Sequence, residues 1–371
     1  MHLYLHVPFC ARRCSYCDFA IAVRREVPSR DYADLVLREW ERRQDHPAWN
    51  ETSEIETVYL GGGTPSLLDP GQLERILDGI HSARPGSADL ELTLEANPEN
   101  VTSALAARWV ALGVNRVSLG GQSFDPAVLR WMHRTHDADA VPRAVSLLRD
   151  AGLANISLDL IFALPEVLER DWARDLDRAL ALKPTHLSLY GLTVESHTPL
   201  ARWVVRGEAA APPDETWIRE FLLAHRTLES AGFEHYEVSN YGRAGFRSRH
   251  NSAYWRRRPY IGLGPSAHSG FGSHRQWNVR EYTAWARSVQ EGGDTVAGEE
   301  TLNDDAVALE TLYLGLRTRD GVPATVIPGN SAQQWVSEGW ATLQGERVAL
   351  TAEGWLRLDA LVRSVSRDVL S

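Results

Sequence analysis

No cysteine occurs after residue 17 of this 371-residue chain. That excludes a disulfide framework, which needs an even number of thiols placed through the fold. Lysine is nearly absent too: Lys183 stands alone among 39 lysines and arginines. Arginine carries almost all the positive charge, so a run such as Arg256-Arg257-Arg258 is a weaker signal than it would be elsewhere. The formal net charge of −10 excludes a bulk attraction to nucleic acid. No run of about twenty apolar residues appears, so no segment is expected to span a membrane, and peripheral membrane contact is left open. The first residues show neither a charged n-region nor an apolar h-region, so no signal peptide is expected. Three thiols without an export signal fit a reducing cytoplasm.

The three cysteines themselves are closely spaced. Cys10, Cys14 and Cys17 form CxxxCxxC directly after the apolar run LYLHVPF. The segment CARRCSYCDF is too polar for a packed strand, which counts against inert core thiols. A zinc site of three cysteines and one histidine, with His6 as the fourth ligand, is one alternative. Zinc sites more often pair a CxxC with a distant second half. Three thiolates suit a [4Fe–4S] cluster with one iron left open, because such clusters are normally held by four.

An apolar share of 43 % supports a sizeable core, and the length suits one large α/β domain with an appendage or two to three domains. Short β-type runs at 3–7, 56–60, 90–95, 115–119, 155–161 and 185–190 alternate with helical patterns near 30–44, 70–83, 102–112, 139–151, 169–181 and 214–230. In the first helix, Ala33, Val36, Leu37 and Trp40 recur at helical spacing. Successive βα units predict a parallel sheet with right-handed crossovers, two units short of a complete (β/α)₈ barrel. A doubly wound open sheet is the rival. Residues 196–215 read as loop, and 232–280 are rich in Gly, Tyr, His and Arg with little periodicity. Residues 304–317 predict a helix, 340–350 a hairpin turning at QGER, and Thr351 the cap of a final helix. This tail resembles a small α+β, winged-helix-like unit. DNA binding is disfavoured because 301–371 holds six Arg against nine Asp and Glu. A capping or substrate-covering role fits better.

In parallel α/β folds, ligands bind at the carboxyl ends of strands. Here the first strand runs into the cysteine loop, and the second ends in Gly61-Gly62-Gly63-Thr64-Pro65. The third ends in Glu95-Ala96-Asn97-Pro98 and the fourth in Gly120-Gly121-Gln122-Ser123. Asp159 lies near the end of the fifth, and the sixth ends in Tyr190-Gly191. Singly, each has a plain alternative: the glycines make a turn, a carboxylate caps the next helix, Gln122 satisfies backbone groups, and Arg134 is one surface arginine of many. Together on one rim they outline a polar ligand bearing an amine, a carboxylate and hydroxyls.

These motifs resemble the radical S-adenosylmethionine (SAM) proteins, over nearly the whole chain. Tyr4-Leu5-His6-Val7-Pro8-Phe9-Cys10 resembles the YxHxPFC segment of the coproporphyrinogen III dehydrogenase-like branch, and LETLYLGLRTRDGV resembles that branch's tail domain. The resemblance implies a partial (β/α)₆ barrel over 1–230, an extension over 231–300 and a small C-terminal domain over 301–371. It implies that Cys10, Cys14 and Cys17 bind three irons of a [4Fe–4S] cluster, and that SAM chelates the fourth. Reductive cleavage of SAM to methionine and a 5′-deoxyadenosyl radical would be the cofactor's chemistry, with an electron donor such as flavodoxin or ferredoxin. By motif position, Gly62, Gly63 and Thr64 would line the methionine part, Glu95 and Arg134 would hold its amine and carboxylate, and Gln122 and Asp159 would accept the ribose hydroxyls. Tyr16, Ile161 and Gly191 would bracket the adenine, and Tyr4 would sit beside the cluster and the sulfonium.

Two departures separate this chain from the dehydrogenase. Phe19 stands where that enzyme has a further cysteine, and the chain starts three residues before Tyr4, without the longer N-terminal segment. Both features resemble the haem chaperone sub-branch, as does His250-Asn251-Ser252-Ala253-Tyr254-Trp255, which matches its HNxxYW signature. The implied function is binding of haem and its transfer to an apo haemoprotein. His250 would be an axial ligand, Tyr254 and Trp255 would pack on the porphyrin, and Arg256 to Arg258 would meet propionates. His235, His268 and His274 are alternative ligands, and in the plainer alternative His250 and Asn251 brace a loop. Tyr260-Ile261-Gly262-Leu263-Gly264 resembles the family's loop returning to the site. The rival activities are oxygen-independent coproporphyrinogen III dehydrogenation and radical SAM chemistry, such as methyl transfer, on another substrate.

Overall fold

Six β-type runs become the strands β1 (His2–Val7), β2 (Ile55–Gly62), β3 (Gly86–Ala96), β4 (Arg116–Gln122), β5 (Asn155–Phe162) and β6 (His186–Gly191) in a computed structural model that describes residues 1–51 and 54–369. Each pairs in parallel with the next, in chain order. A doubly wound sheet would reverse its order part-way. None of β1 to β6 does, so the winding is that of a partial barrel. The intervening helices begin where the caps place them. Asp69 and Thr102 accept the Gln72 and Leu105 backbone N–H groups, and Pro70 opens its helix at a position that needs no donor. The Ser29–Arg43 helix buries Ala33, Val36 and Trp40 as its spacing predicts, with Leu37 partly covered.

The weakly periodic stretch after residue 232 is where expectation and structure part. It supplies six more strands to the same sheet. β7 (Glu234–Glu237) and β8 (Asn240–Gly242) add beyond β6. At the opposite edge β9 (Tyr260–Leu263) pairs in parallel with β1, and β10 (His268–Phe271), β11 (His274–Asn278) and β12 (Val296–Thr301) follow antiparallel. The order is β12-β11-β10-β9-β1-β2-β3-β4-β5-β6-β8-β7. These strands are short, and several of their side chains line a cavity instead of the core, so alternation of apolar and polar residues is lost. Glu39 ties this edge to the first helix. Its buried carboxylate accepts the Gly264 N–H at 2.7 Å, the Asn278 amide at 2.6 Å and the Thr295 hydroxyl at 2.8 Å.

Residues 196–215, read as loop, contain the helix Pro199–Val205 with Thr198 as its cap. The HNSAYW residues also lie in a helix, Arg249–Trp255, capped by Ser248. The tail consists of the helix Asp304–Leu316, the helix Ser331–Ser337 and a three-stranded sheet of β13 (Val322–Pro323), β14 (Ala341–Gln344) and β15 (Arg347–Leu350), in the order β13-β15-β14. Thr351 caps the single turn Ala352–Trp355, and the last helix begins only at Leu358. The tail is fastened to the sheet edge: Trp355 meets the His235 ring edge-on at 4.4 Å, and the Val238 N–H donates to the Arg317 carbonyl.

Candidate functional site

The carboxyl ends of β1 to β6 open into one cavity of about 540 Å³, a size suited to a small-molecule ligand. Its upper wall is the cysteine loop. The loop is anchored where Phe9–Cys10 pairs with Ala22–Val23, and all three thiols face the cavity. Thr64 donates to Cys10 Sγ at 3.5 Å and Arg134 to Cys14 Sγ at 3.6 Å. Burial pushes the Cys10 thiol up and the Cys17 thiol to about 11, so both stay protonated unless a cation compensates. Among the described residues, no three His, Cys, Asp or Glu converge on a point that could hold one metal ion. His6 is not available to zinc, since Nε2 meets the Ala20 carbonyl at 2.9 Å and Nδ1 meets Tyr4 Oη at 3.1 Å. Thiols spread along one wall suit a cluster, in which each sulfur has its own iron, better than a single zinc ion.

The GGGTP turn passes directly under this loop. A Cβ on Gly63 would stand 2.7 Å from the Phe9 carbonyl oxygen and 2.8 Å from that of Pro8. Gly62 has φ +110°, and its Cβ would lie 2.6 Å from the His6 ring. Only glycine fits there. Below the turn, the Glu95 carboxylate accepts from Tyr59 Oη at 2.8 Å and from the Gly62 N–H at 3.0 Å. Burial, with the charge of Asp159 adding to it, raises Glu95 to about 7. Asp159 accepts from Ser118 at 2.9 Å and Ser157 at 3.2 Å, and burial raises it too. Gln122 lines the cavity with φ +65°, a conformation non-glycine residues seldom adopt. The Arg134 guanidinium donates to Asn97 Oδ1 at 2.7 Å and to the Gly120 carbonyl at 2.8 Å, while its buried Nε has no partner among the described residues. Gly191, Ile161 and Tyr16 complete the far wall, the last two packed in an apolar cluster with Met132 and Leu192.

Gly62, Gly63, Thr64, Glu95, Gln122, Arg134, Asp159, Ile161, Gly191, Tyr16 and the three cysteines therefore share one cavity. Two expected residues do not join them. Tyr4 lies against Gly61 beside Glu95, but its ring opens to a neighbouring cavity. His250 is 1 % exposed. Its Nδ1 meets Thr57 Oγ1 at 2.7 Å and its Nε2 meets Tyr254 Oη at 2.8 Å. Both ring nitrogens are engaged in the interior, so this residue is a brace in the sheet-facing helix and presents no free nitrogen to iron. Sequence reasoning put Asn97 on the rim without a role, where it orients Arg134 and touches Thr64, and it missed Ser118, which holds Asp159. The signal was there for Ser118: it alternates with Gly120 and Gln122 on β4 and so faces the same side.

A partial βα barrel with three thiols over its strand ends defines a radical SAM protein, and residues 4–179 match the sequence model of the Radical SAM superfamily. More specifically, 368 residues are 37 % identical to "Heme chaperone HemW" of Mycobacterium tuberculosis, covering 98 % of this chain and 94 % of the relative. The Escherichia coli K12 protein of the same description is 37 % identical over 269 residues, covering 72 % of this chain and 69 % of that one. The chain belongs to this HemW family. Among solved structures, "Coproporphyrinogen III oxidase (HemN) from Escherichia coli" matches with a TM-score of 0.79 at 20 % identity, covering 98 % of this chain and 89 % of that one. That likeness is one of fold.

Proposed function

We propose that this chain is a haem chaperone, which binds haem and passes it to apo haemoproteins in the cytoplasm. The observation that carries this reading is the near full-length match to the Mycobacterium tuberculosis protein named for that activity. The cavity supports a cofactor role for the barrel. Cys10, Cys14 and Cys17 would hold a [4Fe–4S] cluster, whose positive irons offset the desolvation of the thiolates. Glu95, raised by burial to about 7, and the partly unpartnered Arg134 suit the amine and carboxylate of SAM. Asp159 and Gln122 would accept its ribose hydroxyls, and Ile161, Tyr16 and Gly191 would flank its adenine. When bound, the cluster supplies one-electron chemistry, with flavodoxin or ferredoxin as its source of electrons. The protein's part is to orient SAM and keep the thiolates in a partly dry site.

The absence of a cysteine at Phe19, a residue 64 % exposed, favours the chaperone over the dehydrogenase. Haem titrated into the purified protein is expected to give a saturable Soret band at micromolar concentration, and no band would sink the reading. Conversion of coproporphyrinogen III to protoporphyrinogen under anaerobic reducing conditions would replace it with the enzymatic one.

A further inference from the structure

A second cavity, of about 700 Å³, lies beside the first on the same face of the sheet. Asp18 and Phe19 of the cysteine loop line both. Its floor is the edge that the sequence left unread. The register sets Tyr4 on β1 beside Gly262, Tyr260 opposite Gly270, and His268 opposite Trp277. Two rings lie across glycines: a Cβ on Gly270 would meet the Tyr260 ring at 2.7 Å, and one on Gly298 the Trp277 ring at 2.5 Å. Glycines at these positions let the aromatic faces lie low, which leaves a flat apolar bed. Tyr254 and Trp255 line the cavity from the Arg249–Trp255 helix. The His250 bond to Tyr254 Oη fixes that wall, which gives the HNSAYW helix a part in this cavity without exposing His250.

Three histidines line this space: His6, His268 and His274. His6 has both nitrogens engaged. His274 faces Thr301 at 3.3 Å and Glu299 at 3.6 Å. Only His268 has an imidazole with no hydrogen bond among the described residues. Partial cover by the cavity wall, and then the charge of Arg275, lower its pKa although the residue is open to solvent, so it is neutral near pH 7, the form that binds a metal. The arginines sort in the same way. Arg257 and Arg275 are paired with Glu310, and Arg280 with Asp18. Arg258 makes no ion pair among the described residues.

We infer that haem binds in this second cavity, with His268 as its axial ligand, the macrocycle against Tyr260 and Trp277, and a propionate on Arg258. This inference rests on the chaperone reading. A planar, largely apolar ligand bearing carboxylates matches the bed and the free cation, and the shared Phe19 sets the haem next to the cluster site. Binding is ligation of iron by a nitrogen lone pair, so no covalent bond is broken.

The test titrates haem into the full-length, cluster-reconstituted protein and reads difference spectra against the haem-free sample. Wild type and His274→Ala should give the same Soret band and affinity. His268→Ala should bind roughly tenfold or more weakly, and millimolar imidazole should restore the wild-type spectrum. Arg258→Glu should weaken binding without moving the band. His268 is exposed, so its variant should keep the wild-type melting temperature and cluster absorbance. Equal Soret position and affinity in wild type and His268→Ala would overturn the inference and leave the chaperone reading standing. Failure of wild type to bind haem would remove both.

Discussion

Glu95→Gln should make the cofactor-free protein more stable at pH 8 and no more stable at pH 5. Glu95 sits below the GGGTP turn with Asp159 raising it further, while Tyr59, the Gly62 N–H and Arg116 pull the other way. Burial wins, and the group titrates near 7 against an ordinary value of 4.5. The folded state thus holds a proton that the unfolded chain has already released. Stability from this group is fully present below about pH 4.5 and is lost as pH rises to 7. At 1.36 kcal/mol per pH unit, the cost at pH 8 is about 3 kcal/mol, and at pH 5 it is below about 1 kcal/mol. Glutamine keeps an acceptor for Tyr59 but puts an amide against the Gly62 N–H, a loss of about 1 kcal/mol. The variant should therefore be about 2 kcal/mol more stable than wild type at pH 8 and near parity at pH 5. Urea unfolding of chelator-stripped protein at both pH values measures this. Comparing variant with wild type cancels the titrating groups that do not interact with Glu95, and the relief of Asp159 adds in the same direction. A variant offset from wild type by the same amount at both pH values would refute the reasoning. With cluster and SAM present the order should reverse, because the ligand's amine stabilises the carboxylate that glutamine lacks.

Replacing Cys10, Cys14 or Cys17 by serine should abolish the broad absorbance near 400 nm of anaerobically reconstituted protein, and iron content that stays at the wild-type level would count against the cluster. Gly63→Ala should cost about 1–3 kcal/mol, because its Cβ meets the Phe9 and Pro8 carbonyl oxygens and backbone cannot yield as a side chain does. A thermal melt reads this directly, and an unchanged midpoint would mean that the turn stands further from the cysteine loop.

The first cavity could be read from the chain because each of its parts sits where a parallel strand ends. A regular βα alternation fixes those ends, and strand-end position alone places Glu95, Gln122 and Asp159 on one rim. Tyr4 and His250 failed for a local reason. Both belong to short motifs whose residues look like one unit, yet neighbours in a motif point to different sides. Tyr4 stands six residues before Cys10 on β1, and its ring turns to the β9 side, while the cysteines continue past the strand end. His250 opens a helix in which only Tyr254 and Trp255 reach the cavity, and a histidine between Thr57 and Tyr254 has already used its nitrogens.

The second cavity was hidden for the opposite reason. Its floor takes one to three side chains from each of β1 and β9 to β12, strands as short as four residues, so no single segment carries a pattern. Glycine, tyrosine and arginine there look like loop composition in one dimension. Only the register, which sets His268 across from Trp277 and Tyr260 across from Gly270, turns them into a surface. The same register explains why the histidine of the signature and the histidine free for iron differ. A buried imidazole with two partners stabilises a wall, and an imidazole at the start of β10, with no hydrogen bond among the described residues, keeps its lone pair for a ligand. A signature can mark a site through the residue that shapes its wall, while the residue that would bind the metal lies eighteen positions further along the chain, at His268.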